Sequence, residues 1–203
     1  MRAPTRRLLV EGPAGNIECA VDEPKDAPVR GLALVAHPHP LFGGTLDNKV
    51  AQTLARAFVE LGYVAWRPNF RGVGASEGVH DEGRGEVDDL ASVLRHSGVQ
   101  RPVLAGFSFG AAVQTKLARR LIAEGHPPAR MVLVGLAVRY LEASPAPADT
   151  ILIHGEQDST VPLADVLAWA RPQDLPVVVV PGADHFFHRR LHVLRAIIKN
   201  SWK

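Results

Sequence analysis

Residues 101–121 of the chain read RPVLAGFSFGAAVQTKLARRL. An apolar run typical of a buried strand precedes Ser108, and a good helix-forming run follows it. Residues 106–110 have the pattern G-x-S-x-G, which is typical of a serine nucleophile on a sharp strand-to-helix turn. The helix would point its unpaired N–H groups and the positive end of its dipole at a developing anion. The stretch therefore predicts a strand, a tight turn and a helix, with the Ser108 hydroxyl above the edge of a sheet.

Short apolar runs alternate with helical patterns along the rest of the chain. The runs RRLLVEG and GNIECAVDEP, on either side of residues 13–15, predict an opening hairpin. Runs typical of parallel strands buried on both faces lie at 31–37, 63–69, 102–107, 130–136, 150–155 and 176–182. Helical patterns lie at 48–61, 85–96, 109–123, 162–171 and 186–199. This alternation predicts one α/β domain over residues 1–203, with a doubly wound, mostly parallel sheet flanked by helices.

A second G-x-S-x-G lies at residues 74–78, GASEG. The surrounding NFRGVGASEGVHDEG is polar and rich in glycine, and no apolar strand comes directly before Ser76. We interpret this segment as a loop that leaves the strand at 63–69. Ser108 is therefore the predicted nucleophile, and Ser76 is not.

A serine nucleophile needs a base and a carboxylate that orients the base. On a turn of this kind, the order along the chain is Ser, then Asp or Glu, then His. Asp158 follows the run TILIHG by a few residues, and Glu156 is the competing acid, which we rank second. His185 is the first histidine after the last apolar run. We therefore predict that Ser108, Asp158 and His185 act together.

The oxyanion of an acyl-transfer intermediate needs two preorganised donors. One is expected from the backbone N–H of Phe109, directly after the nucleophile. The second is expected from HPHPLFGGT, after the strand at 31–37, where the prolines have no N–H. His39, Leu41 and Phe42 remain, and we predict Leu41.

The same segment has a competing interpretation as a metal site. His37 and His39, with Asp47 nearby, are possible ligands, but no third and fourth ligand follow at a recognisable spacing. FGGTLDNK also departs from the phosphate-binding pattern G-x-x-x-x-G-K-[ST]. We therefore expect neither a metal nor a cofactor.

Composition argues against several classes of protein. The 203 residues carry a formal net charge of +2, with basic residues scattered among acidic ones, so we expect no nucleic-acid partner. No apolar run approaches the roughly 20 residues that span a bilayer, and no membrane partner is expected. Cys19 is the single cysteine and is interpreted as a small strand residue. A single cysteine cannot form an internal disulfide, and the sequence shows no signal-peptide pattern. Both observations favour a protein of the reducing cytoplasm.

Five segments carry a resemblance to a known family. GFSFGAA, HGEQDSTVP and PGADHFF resemble the nucleophile, acid and histidine segments of the α/β-hydrolase superfamily, over almost the full chain. NFRGVGASEG is similar to its D-x-R-G-x-G-x-S loop, with Asn69 at the position of Asp, which implies a structural loop around Ser76 braced by Arg71. HPHPLFGGTLDNKV resembles a small bacterial branch without a cap, related to dienelactone hydrolases and carboxylesterases. This likeness also implies Leu41 as the oxyanion donor.

These observations predict a capless serine hydrolase of a small-molecule ester, as a monomer or homodimer. Only the thirteen residues AVRYLEASPAPAD separate the runs at 130–136 and 150–155, too few for a helical cap. An open, shallow cleft is expected, walled by Leu41, Phe42, Phe107, Phe109, Tyr140 and Phe186. A thioesterase or small peptidase using the same residues is an alternative. So is a binding protein that keeps the fold without turnover.

Overall fold

The computed structural model describes residues 4–25 and 28–202. Its strands are β1 (Arg6–Gly12), β2 (Gly15–Asp22), β3 (Gly31–Ala36), β4 (Tyr63–Pro68), β5 (Val103–Phe107), β6 (Arg130–Val134), β7 (Ile151–Gly155) and β8 (Val177–Val180). Its α-helices are α1 (Lys49–Glu60), α2 (Arg84–Ser97), α3 (Phe109–Ala123), α4 (Leu163–Ala170) and α5 (Leu191–Ser201). The strands form one sheet in the order β1-β2-β4-β3-β5-β6-β7-β8.

The predicted hairpin and the predicted parallel sheet are both present. β1 pairs with β2 in antiparallel register, from Arg6 opposite Val21 to Gly12 opposite Gly15, and β2 pairs antiparallel with β4. Every other neighbouring pair in the sheet is parallel. β3 lies between β4 and β5, so the chain reverses its direction across the sheet there. A crevice forms at such a switch point, outside the carboxyl ends of the strands.

The sheet is buried on both faces, which explains the continuous apolar runs. Side chains of β5 alternate between two core layers, because successive residues of a strand point to opposite faces. Val103, Ala105 and Phe107 belong to the layer that contains α1 and α5. Leu104 belongs to the opposite layer, which contains α2, α3 and α4. This double cover holds the carboxyl end of β5 rigidly.

The last helix begins later than the pattern at 186–199 predicted. α5 starts at Leu191, and residues 184–190 form turns instead. Phe187 is fully buried, with φ of 54°, and Arg189 has φ of 60°. These left-handed conformations are incompatible with a helix. Burial of the Phe187 ring thus overrides the helical periodicity, and it leaves His185 on a turn.

The connection between β6 and β7 carries no cap. Residues 135–150 contain turns and irregular structure but no helix or strand. The crevice above β5 is therefore not covered by this segment. Within the described residues, no helix is long and apolar enough to cross a bilayer.

Candidate active site

Ser108 lies on a strained turn between β5 and α3. Its backbone has φ of 55° and ψ of −119°, an unusual conformation for a residue with a side chain. Its N–H donates to the carbonyl of Val134 on β6 at 2.9 Å. A Cβ atom at Gly106 would lie 2.6 Å from the Gly110 carbonyl carbon, and one at Gly110 would meet the carbonyl oxygen of His37. Both glycines are therefore required for α3 to start this close to β3 and β5.

The structure brings His185 and Asp158 to Ser108. His185 Nε2 lies 3.0 Å from Ser108 Oγ, and His185 Nδ1 lies 2.6 Å from Asp158 Oδ2. Because an ionised carboxylate only accepts, Nδ1 carries the hydrogen and Nε2 is free to accept from the serine hydroxyl. All three side chains are buried. The arrangement is a hydroxyl, an imidazole and a carboxylate in one line of hydrogen bonds.

Backbone donors fix the orientation of Asp158. Its Oδ1 accepts from the N–H groups of Thr160 at 3.0 Å and Val161 at 2.8 Å, which leaves Oδ2 for His185. The competing acid, Glu156, is exposed and accepts from the N–H of Gly182 at 2.8 Å. The structure therefore places Asp158, and not Glu156, against the histidine.

A buried histidine that the sequence analysis treated as a packing residue also lies beside the acid. His154 Nε2 is 2.8 Å from the carbonyl oxygen of Val161 and 3.5 Å from Asp158 Oδ2. Burial lowers the pKa of His154, so it is neutral and its single N–H faces these oxygens. His154 thus helps to hold the turn that carries Asp158.

Two backbone N–H groups beside Ser108, those of Phe109 and His39, have no acceptor among the described residues. Phe109 is the first residue of α3, where a helix leaves its N–H unpaired. Leu41 N–H donates to His39 Nδ1 at 3.2 Å, and Leu41 is 69% exposed and does not line the cavity at Ser108. His39 does line that cavity, and its N–H has no acceptor among the described residues.

A local turn explains why His39, and not Leu41, lines the cavity at Ser108. Pro40 starts a 3₁₀ turn over Pro40–Phe42, and the His39 side chain caps that turn. The turn carries Leu41 outwards and leaves His39 at the cavity. Because proline is favoured at the first position of such a turn, the sequence contained a signal for this arrangement.

The predicted cleft residues line two adjoining cavities, with the exception of Phe107. Phe42 and Phe186 line a cavity of about 190 Å³ around Ser108 and His185, and both are exposed. Tyr140 lines a neighbouring cavity of about 640 Å³, together with Leu41 and Phe109. Phe107 does not reach either cavity, because it is fully buried in the core, with its ring 4.8 Å from that of His185. It supports the histidine from below instead of forming a wall.

His37 anchors the end of β3 and is unsuited to binding a metal. Its Nδ1–H donates to the carbonyl oxygen of Pro38, and its Nε2 accepts from the N–H of Phe70 at 2.9 Å. Complete burial lowers its pKa to about 4, so the ring is neutral and both nitrogens are occupied. Within residues 4–25 and 28–202, no group of three or more His, Cys, Asp or Glu is arranged to hold a metal ion.

The sequence analysis missed a histidine–carboxylate pair behind His39 and Phe109. The His80 ring lies 4.9 Å from that of His39 and 5.4 Å from that of Phe109, while the His39 and Phe109 rings lie 4.7 Å apart. His80 Nδ1 is 2.8 Å from Oε1 of the fully buried Glu86. Glu86 also accepts from the N–H groups of Asp81 and Gly83. Glu86, in the first turn of a predicted helix, was the available signal.

Ser76 has a structural role, as expected. Its hydroxyl donates to the carbonyl of Asn69 and accepts from the N–H of Glu18, both at 2.9 Å. Arg71 binds both carboxylate oxygens of Asp89 on α2, at 2.7 and 2.8 Å. The loop is therefore held to β2 at one end and to α2 at the other.

Fold and site together define a class of protein. A serine follows β5 on a left-handed turn, an aspartate follows β7, and a histidine follows β8, above a sheet whose second strand is antiparallel. This is the α/β-hydrolase fold without a cap domain, in which chain order Ser, Asp, His is usual.

Comparisons with known proteins identify the family. The crystal structure of XC6422 from Xanthomonas campestris, described as an α/β serine hydrolase without lid, superposes with a TM-score of 0.89 at 35% identity, over 98% of this chain and 94% of that one. An α/β serine hydrolase homologue from Coxiella burnetii gives a TM-score of 0.85 at 39% identity, over 98% and 97%. The uncharacterised protein RP471 of Rickettsia prowazekii is 33% identical over 195 residues, 89% of this chain and 82% of its own. No protein-family model matches. The chain belongs to the family of α/β serine hydrolases without a lid.

Proposed function

We propose that the protein is a carboxylesterase-type serine hydrolase that cleaves esters of small acyl groups. The observation that supports this most directly is the line of hydrogen bonds from Ser108 through His185 to Asp158, at 3.0 and 2.6 Å. It ends beside an open cavity that is large enough for a short acyl group. The proposal requires no cofactor.

In the first half of the reaction, Ser108 Oγ attacks the carbonyl carbon, and its proton passes to His185 Nε2. Asp158 stabilises the imidazolium and keeps the tautomer. The negative oxygen of the tetrahedral intermediate accepts hydrogen bonds from the N–H groups of Phe109 and, in this proposal, His39. As the intermediate collapses, the leaving alkoxide takes the proton from His185, and an acyl-enzyme remains.

In the second half, water enters through the uncovered cleft. His185 takes a proton from this water, and the hydroxide attacks the acyl carbon. The second tetrahedral intermediate expels Ser108 Oγ, which recovers its proton from His185. The products are a carboxylic acid and an alcohol, and the enzyme returns to its initial state.

Fluorophosphonate labelling tests the assignment of the nucleophile. We expect the wild type and Ser76→Ala to be labelled and to hydrolyse p-nitrophenyl butyrate at similar rates. Ser108→Ala should not be labelled, and its kcat should fall by about 10³-fold or more, because only binding and the oxyanion donors remain. A folded, unlabelled wild type would favour a binding protein, and equal losses in the two variants would refute Ser108. Matched thioester and peptide substrates, assayed in parallel, separate the alternative activities.

A further inference from the structure

A second cavity adjoins the one that contains Ser108. It measures about 640 Å³ and shares His39 and Phe42 with the smaller cavity. Tyr140, on its wall, donates to the carbonyl of Thr160, which lines the smaller one, at 3.4 Å. A substrate bound to Ser108 can therefore extend directly into the larger cavity.

Lys116 on α3 lines this larger cavity. Its hydrogen bonding differs from that of the other Lys and Arg side chains that are not exposed. In the part of the chain that the structure describes, five Lys or Arg side chains are not exposed: Arg67, Arg71, Lys116, Arg120 and Arg130. The four arginines all donate to carboxylates or backbone carbonyls. Lys116 is the one with no acceptor among the described residues. Because its ammonium group has no carboxylate or carbonyl partner within the described residues, Lys116 is free to donate charge-assisted hydrogen bonds to an anion in the cavity.

The other charges around the cavity are largely compensated. Arg84 pairs with Asp81 at 2.8 Å and with Glu82 at 3.1 Å. His80 lies against Glu86. Glu142 is exposed and lines the cavity without an ion pair within the described residues. Lys116 is therefore the one cation of this wall that is not already neutralised by a bonded carboxylate.

The position of Lys116 on α3 sets its distance from the nucleophile. Lys116 follows Ser108 by eight residues, which is about 12 Å along a helix. It lies seven residues, or two turns, after Phe109, and thus on the same face of α3. Helical side chains lean toward the N-terminus of their helix, which in α3 is the end that carries Ser108.

We propose that Lys116 binds an anionic group of the substrate, a carboxylate or a phosphate, held about 10 Å from the ester bond that Ser108 attacks. The inference rests on the proposed esterase function and specifies its substrate class as acidic esters. The contact is a charge-assisted hydrogen bond, which is stronger than a neutral one. Lys116 is thus a specificity-determining residue that takes no part in the chemical step.

Matched ester pairs test the subsite. The acyl arm compares mono-4-nitrophenyl adipate with 4-nitrophenyl hexanoate. The alcohol arm compares 4-(butanoyloxy)phenylacetate with 4-methylphenyl butanoate. We expect the wild type to prefer the anionic ester in at least one arm, and Lys116→Met to lower kcat/KM for that ester about tenfold, mainly through KM. Activity on the neutral ester should change less than twofold, and Lys116→Arg should restore most of the preference.

Arg119→Met is the matched control. Arg119 is exposed and lines a neighbouring depression of about 450 Å³, which Lys116 also lines, but it does not line the larger cavity. Its loss should leave both esters nearly unchanged. Because ions screen an exposed pair, 0.5 M NaCl should reduce the preference of the wild type and leave Lys116→Met unaffected.

The outcomes separate the two proposals. Equal effects of Lys116→Met on the anionic and neutral esters, or no anionic preference in either arm, would overturn the subsite while leaving the esterase function intact. If the wild type hydrolyses no ester, the proposed function fails. Calorimetric titration of the wild type and Lys116→Met with adipate then decides the subsite alone: tighter binding by the wild type supports it, and equal binding overturns it.

Discussion

Hydrogen bonds to the backbone distinguish Asp158 from Glu156 as the carboxylate that faces His185. Two carboxylates follow β7 within four residues, and sequence order alone does not distinguish them. In the structure, two backbone N–H groups hold Oδ1 of Asp158, whereas Glu156 binds a backbone N–H on the far side of the turn. Only the side chain whose second oxygen faces His185 can stabilise an imidazolium.

Asp158→Asn should therefore damage the enzyme much more than Glu156→Gln. We expect kcat on p-nitrophenyl butyrate to fall by at least 10²-fold for Asp158→Asn, because an amide neither fixes the tautomer of His185 nor stabilises its charge. Glu156→Gln should retain activity within about threefold. Steady-state kinetics on the two folded variants checks this, and the reverse ranking would assign the acid to Glu156.

His37 gives a prediction about acid stability. Its pKa is about 6.5 when unfolded and about 4 in the folded protein, so below pH 6.5 the unfolded chain binds a proton that the native state does not. The contribution of His37 to the free energy of unfolding is therefore complete above pH 6.5 and is lost as the pH falls toward 4. The loss amounts to about 3 kcal/mol at most.

His37→Gln should lack this contribution. We expect the wild type to be more stable than the variant at pH 7, and the difference in the free energy of unfolding to narrow by about 2–3 kcal/mol at pH 4. Urea unfolding at pH 7, 5 and 4 measures it. A difference that stays constant with pH would mean that His37 is not held neutral.

At the level of elements, the loop between β4 and α2 supports the site without contributing a reacting group. The loop is fixed by Ser76 and by the Arg71–Asp89 pair, and it delivers His80 to the rings of His39 and Phe109. These are the two residues whose N–H groups are proposed to bind the oxyanion. A displacement of the loop should therefore disturb the transition state more than the bound substrate.

His80→Ala should lower kcat about tenfold with little change in KM. The loss is smaller than the 10²- to 10³-fold that removal of a donor costs, because the donors stay present and only their positions loosen. His126→Ala, on an exposed turn after α3, is the control and should be neutral. Rapid acylation kinetics checks the effect, and a rise in KM with unchanged kcat would assign His80 to substrate binding instead.

At the scale of the whole molecule, the lack of a cap leaves the site open. The connection at residues 135–150 is irregular, and Phe42 at the mouth of the cleft is 84% exposed. All eight strands of the described residues belong to one sheet, and we propose a single domain over residues 1–203. An open site removes little of a long acyl chain from water.

Short acyl esters should therefore be the best neutral substrates. Each methylene that stays in water forgoes about 0.8 kcal/mol, and the larger cavity offers charged walls to an alkyl chain. We expect the highest kcat/KM on p-nitrophenyl acetate or butyrate, with no interfacial activation. A steady rise through palmitate would contradict this, and sedimentation analysis would then show whether a second copy covers the cleft.

The sequence by itself determined the strand and helix order, the choice of Ser108 over Ser76, and the residues predicted to act with it. These features depend on local patterns: apolar runs that must be buried on both faces, and glycines that a tight turn requires. The tertiary structure alone decided that Phe107 lies below His185 and that α5 starts after Phe187. It also brought His80 to the ring of His39 and Lys116 to the wall of the adjoining cavity. Such contacts join residues distant in sequence, and packing of the folded chain, which no local pattern encodes, sets which side of an element they meet.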